Sequence, residues 1–182
     1  MKNFLFVPLM LATGCATQSA LPNGAHLPNP EAPKTFLQRI VGSWEYDQEA
    51  VNGPGQPPQK SKGTEDGRMV GPWAVMEIHG ESAAGPYTGI LTIGPTADPK
   101  RYVGTWISSM SPDMVQYQQC SLDESGRVLT LDTLLPDPTD PTKQTRFRDV
   151  FELVDDGHKT LRSMMEMNGS WTTFVTANYR RR

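Results

Sequence analysis

From Tyr87 to the end of the chain, alternating runs are punctuated by turns so evenly that an antiparallel meander is the economical reading. "YTGILTI" is followed by the turn "GPTADPK", then by "RYVGTWIS" and a break at Ser111-Pro112-Asp113. "MVQYQQCSL" leads to a turn at 123–126, and "RVLTLDTL" to the Pro-rich stretch 136–142. "KQTRFRDVFELV" turns at Asp155-Asp156-Gly157, "HKTLRSMMEM" at Asn168-Gly169, and "SWTTFVTANYRR" closes the chain. Asn-Gly is the strongest short hairpin signal.

Upstream, Phe36, Leu37, Ile40 and Val41 have helical spacing, after which Trp44 and Tyr46 alternate with Glu45 and Asp47. The change of period predicts one short helical turn running into a first strand. Further strands are expected near 62–70 and across "WAVMEIHGES", after a turn at Gly71-Pro72. Nine to ten strands in under 150 residues predict an all-β fold, most simply an antiparallel up-and-down β-barrel, because closure removes exposed edges. A two-layer sandwich is the alternative.

The first 35 residues read differently. Lys2 precedes an apolar run from Phe4 to Ala12 broken by Pro8, too short to cross a ~30 Å hydrocarbon core. It suits a signal peptide over 1–14. "LATGC" resembles a bacterial lipobox, which implies cleavage before Cys15 and lipidation of its thiol, although Leu stands at 11 rather than 12. The same resemblance implies, from Ala16 after the cysteine in place of the Asp of inner-membrane retention, the outer membrane facing the periplasm. A soluble secreted or periplasmic product is the alternative. Residues 15–35 carry four prolines and few large apolar side chains, the composition of a disordered tether. Residues 36–182 are then a single domain by size.

Charge and cysteines narrow the function classes. The formal net charge is −3, and −4 once Lys2 leaves, which gives no footprint for nucleic acid. With Cys15 assigned to lipid, Cys120 has no disulfide partner and reads as a buried, inert thiol. His26, His79 and His158 show no zinc spacing, "GESAAG" is not a nucleophile elbow, and "GPGQPP" opens no helix. No cofactor is therefore expected.

The strand faces supply the site candidates. Glu77, His79 and Glu81 share one face while Met76 and Ile78 share the other, so the polar set is expected in solvent. Phe147, Asp149, Phe151 and Leu153 share a face. A three-residue loop at 155–157, with Gly157 at positive φ, would set Asp149 opposite Ser163 and Arg146 opposite Glu166. Trp171 is ambiguous: a two-residue or a three-residue turn would put it on opposite faces. In "KRYVGTWISSM", Gly104 and Trp106 share a face, and a strand glycine marks a bend or a gap for a neighbouring ring.

"YTGILTIG", "KRYVGTWISSM", "DESGRVLTL", "RFRDVFELVDDGHKT" and "ANYRRR" together resemble the bacterial domain-of-unknown-function 1579 family, over roughly 36–182. The resemblance implies a small lipocalin-like (calycin-like) barrel, often behind an export signal, and carries no catalytic residue across. Pro95-Thr96 and Gly71-Pro72 depart from that family's usual loop pairs.

The expectation that follows is a lipid-anchored barrel holding a small hydrophobic ligand in its lumen. Trp44, Tyr46, Trp106, Tyr117, Phe147 and Phe151 would line it, with Asp149 as a polar contact. Two rivals stand beside it. One is a small-barrel hydrolase or isomerase, for which Asp149, Glu77 and His79 are the weak catalytic candidates. The other is a protein–protein module with a solid core. The sequence sets no oligomeric state.

Overall fold

The computed structural model describes residues 35–182 apart from 52, 54, 83 and 99. The expected signal peptide, Cys15 and the tether up to residue 34 lie outside the described residues. Thr35, read as the last tether residue, instead caps a helix. Its hydroxyl accepts from the Gln38 N–H while the Gln38 side chain accepts from the Thr35 N–H, a reciprocal capping box. The helix, α1 (Phe36–Ile40), buries Phe36, Leu37 and Ile40.

Ten antiparallel strands follow, each joined to the next: β1 (Gly42–Ala50), β2 (Gln59–Val70), β3 (Trp73–Ser82), β4 (Gly85–Pro95), β5 (Arg101–Ser108), β6 (Ser111–Leu122), β7 (Val128–Pro136), β8 (Gln144–Leu153), β9 (His158–Met167) and β10 (Ser170–Arg181). β1 pairs with both β2 and β10, so the meander closes into a barrel and the sandwich is excluded. Closure leaves every strand with two neighbours.

Alternation sorts the faces, and the turns set the register. Asp149 stands opposite Ser163, as counted, and Arg146 forms an outer ion pair with Glu166 at 3.7 Å. Gly157, however, does not adopt positive φ; the Asp155 carboxylate shapes that loop by accepting from the Gly157 N–H at 2.7 Å. At the last hairpin Asn168 (φ 52°) and Gly169 (φ 76°) make the two-residue turn. That turn puts Trp171 on the outer wall, its ring 4.2 Å from the Arg148 guanidinium and 5.4 Å from that of Arg146. Ser111-Pro112-Asp113 is not a break: it begins β6, and the reversal lies at Ser109–Met110.

The two ends of the barrel differ. α1 lies against β2 and β3, and its apolar side chains join Trp44, Met76 and Ile93 in one core cluster. A short helix leaves its last carbonyls without partners. Here the Ile40 carbonyl accepts from both Trp44 Nε1 and Lys159 Nζ, each at 2.9 Å. The helix is thus a plug held from below by two side chains. At the other end β6 and β7 pair only from Gln119–Leu122 against Leu129–Asp132, and their remaining lengths part. Cys120 is buried, and burial pushes its thiol up to about 11.

A lumenal cavity with two acids on its wall

Between the plug and the opposite rim lies a cavity of about 330 Å³. It reaches the surface at Met110, which is 55% exposed. Ile78, Leu91, Val115, Leu135 and Leu161 give it an apolar wall, with Trp106, Phe147, Phe151 and Phe174 adding aromatic faces. Glycines make the space for the rings. A Cβ on Gly89 would overlap the Trp106 indole, and one on Gly63 or Gly80 would overlap the Tyr46 hydroxyl.

Gly104 has a different neighbour. A Cβ there would fall 2.5 Å from the Thr92 carbonyl oxygen of β4. It permits close approach of two backbones beside the register shift between Tyr102 and Gly104, while the gap for the Trp106 indole is at Gly89.

Of the seven residues expected to line the lumen, Trp106, Tyr117, Phe147, Asp149 and Phe151 do so. Trp44 and Tyr46 do not. Trp44 is wholly buried beneath the plug, where Lys159 Nζ lies 4.6 Å from its ring centre. Tyr46 packs on Tyr179, with ring centres 5.0 Å apart, and its hydroxyl meets that of Tyr87 at 3.1 Å. Alternation assigns a side chain to a face but not to a height along the barrel axis. Both rings are buried: Trp44 beneath the plug, and Tyr46 against Tyr87 and Tyr179, which themselves line the cavity. Glu77 and His79 stand on the outer wall, each about half exposed and 3.1 Å apart, so that pair has no pocket for catalysis. Among the described residues no cluster of three metal-binding side chains occurs.

Asp149 is the lumen's polar centre. The Tyr117 hydroxyl donates to its Oδ2 at 2.5 Å, and Ser163 hydrogen-bonds it from β9. Burial raises the carboxyl above its usual range, against the opposing pull of these two hydroxyls. Burial, and then the neighbouring Asp149, hold the Tyr117 phenol well above its ordinary value. A group with a raised folded-state pKa favours folding only while protonated, and that contribution is lost as pH rises through the folded value. Asp149→Asn, which removes the titration, should therefore melt higher relative to wild type as pH rises from 4 toward 8. Thermal melts across that range check it; a difference constant with pH would refute the burial of a charge.

Sequence reading missed the deep end of the cavity. Glu65 lines it and is itself 1% exposed, and its Oε1 accepts from Lys159 Nζ at 2.5 Å. Burial presses Lys159 below its usual range and Glu65 above, while each charge holds the other. The signal was in the alternation. Gly63, Glu65, Gly67 and Met69 share a face, as do Lys159, Leu161 and Ser163. Phe174 was missed for another reason: the register of β10 shifts between Thr173 and Val175, which turns both Phe174 and Val175 into the lumen.

The family described as "Protein of unknown function (DUF1579)" matches over residues 29–181. The chain belongs to that family. Among solved structures, this DUF1579 barrel is similar to an S-type phycobiliprotein lyase from Guillardia theta, at 14% identity and a TM-score of 0.56. That alignment covers 81% of this chain and 90% of the lyase. It is similar in the same degree to Rv2717c from M. tuberculosis, with 14% identity, a TM-score of 0.56, and 83% and 99% of the two chains covered. At such identities the likeness establishes the barrel fold alone. No curated protein matches the sequence.

Proposed function

We propose that this DUF1579 protein is an exported lipoprotein whose barrel holds a small, largely apolar molecule in its lumen. The observation that carries the reading is the cavity: about 330 Å³, aromatic on several sides, with a single hydroxyl-bound acid on its wall. Ligand pockets combine an apolar lining with a few polar groups in just this way. The sequence of residues 1–34 supports the address: signal peptide 1–14, lipid on Cys15, a tether that ends at residue 34, and the outer membrane facing the periplasm. A solid interaction plug fits the cavity poorly.

Trp106 borders the space, so intrinsic fluorescence reports on occupancy. Titration with a panel of apolar alcohols, amines and fatty acids should give a saturable change with at least one class. No saturable change with any class would sink ligand binding. The anchor is tested separately. Cys15→Ser should move the protein from the membrane to the soluble fraction, and wild type found soluble would overturn lipidation.

The contact between Tyr117 and Asp149 favours one further reading, a hydrolase or isomerase with Asp149 as the base. It requires turnover of a bound ligand that Asp149→Asn abolishes.

A further inference from the structure

The charged groups around the lumen are unevenly chosen. Among the described residues lining it, Glu65 and Asp149 are acids, and none is Lys, Arg or His. Glu65 is already answered. Lys159 pairs with it, donates to the Ile40 carbonyl, and lies over the rings of Trp44 and Tyr179 at 4.6 and 4.8 Å. That ammonium is fully buried and does not line the cavity, so the closed end contributes a neutral pair.

Asp149 is not answered in that way. Its contacts are the hydroxyls of Tyr117 and Ser163, and among the described residues no cation pairs with it. A carboxylate offers about four lone-pair sites, so two hydroxyl donors leave acceptor capacity. An entering anion would meet a like charge or a neutral acid, with no cation to compensate its own desolvation. A protonated nitrogen would meet a charge-assisted acceptor. Trp106 and Tyr87, which also line the cavity, are ring types that attract a cation as well.

We infer that the lumen takes an apolar amine, a protonated nitrogen on a hydrocarbon or aromatic body, in preference to a fatty-acid anion. The inference rests on the lumenal-binding reading above and gives it a ligand class.

Octylamine, octanol and octanoate share a chain and differ in head group, and at pH 7 the three are cationic, neutral and anionic. Calorimetric titration of the full chain with each separates the two claims. The expected order is octylamine, then octanol, then octanoate, with octylamine bound about tenfold or more tighter than octanoate, the scale of one charge-assisted hydrogen bond. In Asp149→Asn, octylamine should fall to the affinity of octanol. Octanoate binding as tightly as octylamine, or octylamine no tighter than octanol, would overturn the inference and leave lumenal binding standing. No binding of any of the three would overturn both. Should Asp149→Asn fail to fold, the wild-type series decides alone. An Asn variant that folds and keeps the amine preference also overturns the assignment.

Discussion

Lys159→Met should destabilise the barrel by about 3–5 kcal/mol, the range for removing one partner of a buried ion pair. The substitution leaves Glu65, 1% exposed, without its cation. It also removes one of the two donors to the Ile40 carbonyl that hold the helical plug. Glu65→Leu should cost a similar amount by stranding the ammonium. The double variant is the more informative measurement. Two apolar side chains of similar volume need no desolvation to be offset, so it should be at least as stable as either single variant and close to wild type. Urea unfolding of the four proteins gives the coupling directly. A single Lys159→Met variant within 1 kcal/mol of wild type would show that the pair is not closed to water.

That pair also marks where the sequence was legible and where it was not. The barrel could be read because strand period and turn chemistry are local: counting across the 155–157 loop placed Asp149 against Ser163 correctly. The apolar face of β8 could be read for the same reason. Position along the barrel axis is not local. It depends on which end α1 closes, so Trp44 reads as lumenal although it lies beneath the plug. Glu65 and Lys159 stand beside Asp66 and His158, where a charged residue next to other polar residues reads as solvent-facing. Their alternation with Gly63, Gly67 and Leu161 is the only local sign of burial. Phe174 needed the shift in β10, and a bulge cancels the alternation that sequence reading relies on.

Two glycine substitutions on adjacent strands should therefore separate fold from function. In Gly104→Ala the added methyl meets the Thr92 carbonyl oxygen, a backbone atom of the paired strand that cannot rotate away. Overpacking of this kind costs about 1–3 kcal/mol, and an obstacle made of backbone sets it at the upper end. The cavity should keep its lining, so ligand affinity should change little in the fraction that is folded. In Gly89→Ala the methyl meets the six-membered ring of the Trp106 indole, a side chain bordered by the cavity. The ring can turn into that space, so the stability cost should be smaller than for Gly104→Ala. The displaced indole then occupies volume the ligand needs, and octyl-chain affinity should fall by about tenfold or more, since a cavity of about 330 Å³ leaves little to spare. Urea unfolding and calorimetric titration on both variants read the two effects independently. Loss of stability without loss of affinity in Gly89→Ala would mean that the indole is fixed and that the ligand does not reach it. Equal effects from both substitutions would mean that β4 and β5 respond as one unit, so that the space around Trp106 is set by the backbone and not by its side chain.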